Sequence, residues 1–421
     1  MSHRTRTSGV FVVVESGLGA FGLTPLQAAR AQGFHTAFVT GSVSRYVPDS
    51  HAREAFAACV DEVVEADTHD SAAVLAALKS TYDEGELRGI YSTTDYSTAV
   101  VAETARALGL PGLSPDAAHT ARNKLRTRQA AEAAQVPTPA WAWARSESEA
   151  VAAAERIGLP CVVKPMTEAG SVGVRLCRTT EEVAAHYHSI ASVPTDYRGG
   201  RRTPGVLVEE YLVGFEVSVE SVTVEGVRTV LGVTDKALGP HPHFVELGET
   251  FPSILPDSVQ KQCTATAAAA LDAVGHDFGA AHVEIKMTAT GPKLIEVNAR
   301  MPGAQITRLI HESTGLHLQR EMVRLHTGRE PDLTLSPRGA AASRYLTASR
   351  DGVVRAVFGA DLVHRSPGVV LMDLHVAPGD RIRVAENNVD VLGGVVAVGQ
   401  DSGEAVRRAD AAMGQLGIEV G

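Results

Sequence analysis

The first third of the chain alternates short apolar runs with amphipathic stretches. Val10–Val14 (VFVVV) is apolar at every position, the pattern of a parallel strand buried on both faces. A glycine-rich turn follows, then a helical stretch, Pro25–Gln32, with Thr24 as the predicted N-cap and Pro25 in the first helical position. His35–Val39, Asp61–Glu65 and Gly89–Ser92 read as further strands, and Ser71–Lys79 as a helix. This rhythm predicts an open parallel sheet with helices on both faces.

The pattern changes near Ser114. The segment 114–135 reads as one helix, capped by Ser114 with Pro115 at its start, and VPTP closes it. A small α+β stretch follows: a strand near 140–144, a helix near 147–157, a strand Cys161–Lys164, and a loop into a strand Gly173–Cys177. Pro194–Pro204 (PTDYRGGRRTP) is a Gly/Pro-rich polar loop, expected to be mobile. From Val206 the chain is β-rich, with helices near 304–312 and 318–326. The last part holds short strands at 353–358, 369–375, 381–384 and 394–400, then a helix at 404–416. Trp141, Trp143 and the Val/Ile stripes are expected in the core.

Composition narrows the classes. A chain of 421 residues predicts two to four domains. Its net charge of −10, from 49 acidic and 39 basic residues, argues against a nucleic-acid partner. No apolar run is long enough for a membrane span, and the polar start MSHRTRTSGV shows no secretory apolar region. The four cysteines (Cys59, Cys161, Cys177, Cys263) form no CxxC pair or zinc spacing. Reduced thiols and a cytoplasmic location are the expectation. Oligomeric state is not legible; a homodimer is compatible with the sequence.

Gly17, Gly19 and Gly22 spell GxGxxG between a strand and a helix, a dinucleotide pattern. The fingerprint also needs an acid at the end of the second strand, where this chain reads Phe38-Val39-Thr40-Gly41-Ser42. The better reading is a tight turn of a Rossmann-like domain without NAD, whose backbone N–H groups could face a substrate carboxylate. His241 and His243, in GPHPHF, read as structural rather than metal-binding.

More chemistry lies in AHVEIKMTATGPKLIEVNAR. Folded about residue 290 as an antiparallel hairpin, it sets Glu284 opposite Glu296 and His282 opposite Asn298. These four share one face with Arg300, while Val283, Ile285, Met287, Ile295 and Val297 share the apolar one. Opposed carboxylates repel, and a hard cation such as Mg²⁺ compensates, with the Asn298 oxygen as a third ligand and phosphates completing the shell. Arg300 would reach a transferring phosphoryl group.

Lys164 leaves the apolar strand Cys161–Lys164 beside the small-residue loop MTEAGSV, an arrangement suited to phosphate but not a Walker site. In VLVEEYL, Glu209 and Glu210 point to opposite sides, and such a strand can grip an adenine through backbone groups and one acid. Glu216 could reach a ribose hydroxyl.

Together, Lys124, Lys164, MTEAGSVG, VEEYLVGFEVSVE and HVEIKMTATGPKLIEVNARMPG resemble the ATP-grasp superfamily over about residues 114–327. Within it, VTDKALGPHPHFVELGETFPS and EVNARMPGAQITRLIHESTG are most similar to L-amino acid ligases. The resemblance implies an α/β multidomain chain: a Rossmann-like pre-ATP-grasp domain (1–113), an ATP-grasp domain (114–327) with a mobile α+β lid at about 140–205, and a small C-terminal β-rich α+β domain (328–421). It implies ATP and two Mg²⁺ ions, replaceable by Mn²⁺, and amino acids as partners. Lys124 and Lys164 would contact phosphates, Glu209, Glu210 and Leu212 the adenine, and Glu216 the ribose. Glu284, Glu296 and Asn298 would bind metal, and Arg300 would stabilise the acyl phosphate. Near the substrates, Glu246 would meet an ammonium and serve as a candidate base. Glu249 replaces a family histidine, which predicts added negative charge and a cationic substrate group. Gly303 and Ala304 complete the substrate wall, where a methyl in place of a bulky aromatic leaves room for a longer first substrate, glutamate as readily as alanine.

The expected reaction joins two amino acids through an acyl phosphate, releasing ADP and phosphate. The alternatives are an ATP-grasp enzyme of purine or biotin-dependent type and, from GxGxxG, an NAD-dependent oxidoreductase.

Overall fold

The computed structural model describes residues 9–18 and 20–421. The polar start of the chain and Gly19 of the glycine turn lie outside them.

Four parallel strands, β1 (Val10–Val14), β2 (His35–Thr40), β3 (Glu62–Glu65) and β4 (Leu87–Tyr91), pair in the order β3-β2-β1-β4. Helices α1 (Thr24–Ala31) and α2 (Ser50–Cys59) cover one face; α3 (Ser71–Thr81) and α4 (Thr98–Leu108) cover the other. Every β1 residue is fully buried, which is why VFVVV has no polar position. Helix α1 begins at Thr24 rather than after it, because a 3-10 turn, Ala20–Leu23, leads directly in. Gly22 is required by close approach: a Cβ there would sit 1.7 Å from the Gly17 carbonyl oxygen.

The single helix expected over 114–135 is two, α5 (Pro115–Arg122) and α6 (Lys124–Ala133). Ser114 caps the first as expected. Asn123 breaks the run: it takes an extended conformation, and its Oδ1 accepts from Leu125 N (3.1 Å) and Arg126 N (3.2 Å). The break puts Lys124 at the start of a helix, its N–H bonded to Met166 O at 3.0 Å.

β5 (Trp141–Ala144), α7 (Glu147–Ile157), β6 (Cys161–Pro165), β7 (Arg175–Cys177), α8 (Thr180–Ala191) and β8 (Val206–Glu210) form the α+β unit, with sheet order β5-β8-β6-β7. The unit thus runs to Glu210 rather than 205, because Val206 and Val208 pack with Val163 and Ala144. Trp143 is 42 % exposed, not in the core, and Arg145 lies over its ring at 5.2 Å.

The central sheet begins with β9 (Phe215–Val224), β10 (Val227–Leu238) and β11 (Glu246–Phe251). Helix α9 (Asp257–Ala273), the hairpin β12 (Gly279–Thr288) and β13 (Gly291–Asn298), and helices α10 (Ile306–Thr314) and α11 (Leu318–His326) follow. One face of the hairpin, Val283, Ile285, Leu294 and Val297, packs on Cys263, Ala267, Ala270 and Leu271 of α9. The two last helices share a core with the first domain, where Leu309, Ile310, Met322 and Val323 pack in one cluster with Phe11 and Leu26.

The C-terminal segment holds β14 (Ala340–Leu346), β15 (Gly352–Phe358), α12 (Ala360–His364), β16 (Val369–Leu374), β17 (Arg381–Ile382), β18 (Gly393–Gly399), α13 (Ser402–Met413) and β19 (Gly417–Val420). Strands β14, β18 and β16 extend the central sheet to eight, in the order β13-β12-β9-β10-β11-β14-β18-β16; only β17-β15-β19 stand apart. β14 escapes sequence reading because three of its four buried positions are alanines, which carry no strand signal. No described helix is long and apolar enough to cross a membrane.

Asn123→Ala removes the cap of α6. The expected loss is about 1 kcal/mol, read as a fall of roughly 2–4 °C in Tm. Asn123→Asp keeps the acceptor and should behave as the parent.

Candidate active site

The cleft-side face of the central sheet is polar in successive cross-strand rows. Glu284 pairs with Glu296 and with Ser218; His282 pairs with Asn298 and Glu220; Glu216 pairs with Lys286 and Lys236, and Lys236 with Glu249. The predicted hairpin register therefore holds. A bulge after Glu284 shifts the rest by one, so Leu294, not Ile295, enters the core, and Ile295 lines the cleft.

A cleft of about 330 Å³ lies over this face, between the sheet and the α+β unit. Lys124, Lys164, Glu209, Glu210, Leu212, Glu216, Glu246, Glu284, Glu296, Asn298, Arg300, Gly303 and Ala304 all line it. Glu249 does not. One fold feature thus gathers residues spread from 124 to 304.

The opposed acids are each held by a cation from elsewhere in the chain. Lys124 Nζ lies 2.7 Å from Glu296 Oε1 and also donates to Glu168 O at 2.7 Å. Lys236 Nζ lies 2.5 Å from Glu284, 2.9 Å from Glu246 and 3.5 Å from Glu216. Burial works against the Lys236 charge, but the three carboxylates outweigh it and raise its pKa well above the usual lysine value. His282 donates to Glu220 (2.9 Å) and approaches Glu284 (3.3 Å). Burial opposes protonation there too, yet Glu220 pushes its pKa up to about 10. Burial likewise disfavours the Glu284 carboxylate, and Lys236 and His282 hold its pKa well below the usual range nonetheless.

Lys164 pairs with Glu209 (2.7 Å), and the Glu209 carboxylate is also gripped by Arg128 Nε (2.7 Å). Against the effect of burial, these two cations bring Glu209 down to about 2. Glu209 is therefore committed to protein partners, and Arg128 also donates to Ile295 O at 2.7 Å. Glu210 turns the other way, accepting from Lys293 (3.0 Å) and Ala140 N (3.1 Å).

The glycine loop is clasped rather than free. Gly170 and Ser171 are both left-handed, with φ of 63° and 61°. Ser171 Oγ donates to Phe244 O (2.9 Å), and Asn388 N donates to Gly170 O (3.0 Å). The buried Glu168 accepts from Arg202 Nε (2.8 Å) and Tyr96 OH (2.7 Å), so the 194–204 loop is tied down through Arg202.

Arg300 donates from Nη1 to Met301 O (2.7 Å) and pairs through Nη2 with Asp95 (2.5 Å); its Nε is buried with no partner. A buried guanidinium with an idle donor at a cleft wall is equipped for an anionic ligand. Ala304 lies beside it with φ of 51°, a strained setting common at ligand sites.

Glu249 overturns an expectation. It is buried behind the lining, where Ser343 and Tyr345 donate to Oε2 while Oε1 has no partner. Burial, then the neighbouring Glu246 charge, push its pKa up to about 8. Burial thus favours its neutral form, against the added negative charge expected there.

The glycine turn is occupied by protein contacts. Gly17 N donates to Thr93 Oγ1 (3.1 Å), and Arg198 Nη2 donates to Ser16 O (2.7 Å). At the end of β2 Thr40 stands where a ribose-binding acid would be, and it donates to Glu15 (3.0 Å). His241 bonds Tyr211 OH (2.8 Å) and packs on Phe244, a structural role as expected.

The donor set fits a hard cation. Glu284, Glu296 and Asn298 present side-chain oxygens from adjacent strands on one face, the donor type a hard cation takes. Among the described residues no three His, Cys, Asp or Glu side chains form a metal cage; a shell of two acids, one amide and phosphate oxygens does not need one. Sequence reading missed Lys236, Asp95, Arg128 and Glu168. Lys236 carried only a weak signal, as one of two cations, with Arg228, on a mixed strand.

Residues 157–308 match the ATP-grasp domain, 26–112 the ATP-grasp N-terminal domain, and 344–421 the L-amino acid ligase C-terminal domain 2. An uncharacterised protein of Sinorhizobium fredii is 33% identical over 342 residues, covering 80% of this chain and 69% of that one. The alanine–anticapsin ligase of Bacillus subtilis is 28% identical over 58% of this chain, which spans only 55% of its length. In fold, the crystal structure of an L-amino acid ligase from Bacillus licheniformis superposes with a TM-score of 0.81 over 98% of this chain and 99% of that one, at 19% identity.

Glu249→Gln tests the neutral-acid assignment. A folded-state pKa raised from 4.5 to about 8 gives stability that is fully present below about 4.5 and lost as pH rises through 8. The parent Tm should fall across pH 5–9 by several degrees more than that of Glu249→Gln, at roughly 2–4 °C per kcal/mol. Parallel Tm curves would contradict a protonated Glu249.

The shared domains, the 33% identical relative and the superposed fold agree with the cleft geometry: the chain belongs to the ATP-grasp family of ATP-dependent ligases, in the L-amino acid ligase branch.

Proposed function

We propose that the chain joins two amino acids, activating the carboxylate of one as an acyl phosphate and transferring the acyl group to the amine of the other. The observation that carries this reading is the polar sheet face, where two opposed acids, an amide and a guanidinium with an idle donor share one cleft. The L-amino acid ligase C-terminal domain supports it over the purine and biotin-dependent alternatives, whose shared fold does not discriminate. The protein contacts filling the glycine turn count against an oxidoreductase.

A substrate carboxylate oxygen attacks the γ-phosphorus of ATP and ADP leaves; the amine nitrogen of the second amino acid then attacks the acyl carbon, and phosphate leaves. Two Mg²⁺ ions, or Mn²⁺ in their place, would be held by Glu284, Glu296 and Asn298 and would neutralise the phosphate oxygens. Lys124 and Lys164 add charge beside the nucleotide. Leu212 and Glu210 line the adenine end, with Glu209 fixing Lys164 from behind, and Glu216 lies toward the ribose. Arg300 donates to the oxyanion of each step. Glu246 faces the incoming ammonium and takes its proton, with Gly303 and Ala304 shaping the wall around the first side chain. Closure of the α+β unit excludes water from the acyl phosphate. The four cysteines are free and buried, which suits a reducing, ATP-supplied compartment such as the cytoplasm.

The test is ADP release on mixing ATP, Mg²⁺ and pooled amino acids, with the amide product read by mass spectrometry. Release only with amino acids, and an amide formed one-for-one with ADP, is expected; release indifferent to amino acids would defeat the proposal. Arg300→Met should lower kcat by about 10²–10³-fold, the range for loss of one charge-stabilising donor, with nucleotide binding retained in a direct titration.

A further inference from the structure

Arg300 is held by a residue of another domain. Asp95 lies in a buried 3-10 turn, Asp95–Ser97, just past the carboxyl end of β4, where ligand-facing groups of a parallel sheet collect. Its Oδ2 meets Arg300 Nη2 at 2.5 Å across 205 positions of sequence. The next residue reaches the other wall of the cleft. Tyr96 OH donates to Glu168 Oε2 at 2.7 Å and accepts from Ala169 N at 3.3 Å, so the same turn also fixes the glycine loop.

Arg300 has competing partners close by. The charges of Glu296 and Glu284 act on it alongside that of Asp95. A buried cation that loses its carboxylate turns to the nearest one available. Here those are two acids of the metal face, already shared with Lys124 and Lys236.

We propose that Asp95 is a positioning residue for Arg300: it keeps the guanidinium aimed at the reacting oxygens and off the acids that must receive the metal. The inference rests on the ligase reading for the identity of those ligands. The first domain then acts on the cleft from behind its lining, and one of its turns sets both the guanidinium and the loop over the phosphates.

The experiment is a titration of Mn²⁺·ADP binding, with free Mn²⁺ followed by electron paramagnetic resonance and no turnover involved. Asp95→Asn should weaken binding roughly ten-fold, a size ordinary for coupled neighbours. Arg300→Met alone should leave binding nearly unchanged. The double variant should recover parental binding, because the freed guanidinium that competes with the metal is gone. Asp95→Glu keeps the charge and should stay within about three-fold of the parent; thermal melts report whether each variant folds. Simple loss of structure would not be reversed by removing Arg300. Parental binding in Asp95→Asn, or a defect that persists in the double variant, overturns the proposal. A parent chain that binds no Mn²⁺·ADP refutes the nucleotide reading itself, and this inference with it.

Discussion

Two carboxylates face each other across a strand pair, and the rest of the site answers that repulsion. Glu284 and Glu296 occupy paired positions on β12 and β13. At about 5 Å and an effective dielectric of about 20, like charges cost about 3 kcal/mol, a large share of the 5–15 kcal/mol that separates a typical fold from its unfolded chain. The chain meets the cost with two lysines from different elements, Lys124 on Glu296 and Lys236 on Glu284. On the proposed reading, an incoming divalent cation would take over the acids, and the released ammonium groups would face the phosphates that arrive with it.

Several local departures from regular structure serve this exchange. The break at Asn123 starts a helix at Lys124 and aims that lysine along the cleft floor. The bulge after Glu284 turns Ile295 outward while keeping Glu296 on the polar face. The left-handed pair Gly170–Ser171 brings the loop backbone over the cleft, where Asn388 of the C-terminal segment bonds it and also accepts from Glu246 N at 2.9 Å. The ATP-grasp region and the C-terminal segment thus both line the cleft, while the first domain reaches it through the Asp95–Arg300 pair and shares a core with α10 and α11.

The parts legible in the sequence were those encoded by short-range periodicity. The strict alternation around residue 290 set the register of Glu284 against Glu296, and the apolar run at Val10–Val14 announced a buried parallel strand. What escaped were pairings between residues far apart in the chain. Lys124 and Glu296 are separated by 172 positions, Arg128 and Glu209 by 81, and no window of local pattern joins them. Strand β14 was hidden because alanine is buried there for lack of space, not for strand preference. Glu249 was misjudged for a related reason. Its letter reads as a charge, while its burial against Ser343, Tyr345 and Glu246 makes the neutral form the stable one.

That last point changes how substrate choice is argued. With Glu249 neutral, the charge facing a substrate near Glu246 is governed by Lys236, whose ammonium is divided among Glu216, Glu246 and Glu284. On the proposed reading, a substrate ammonium at Glu246 would share that carboxylate with Lys236, and a nucleotide phosphate drawing Lys236 away would favour the amine. Ala304, at a φ of 51°, and the adjoining Gly303 line the cleft beside Arg300 and put no bulky side chain there, so on the proposed reading shape rather than charge would select among first side chains.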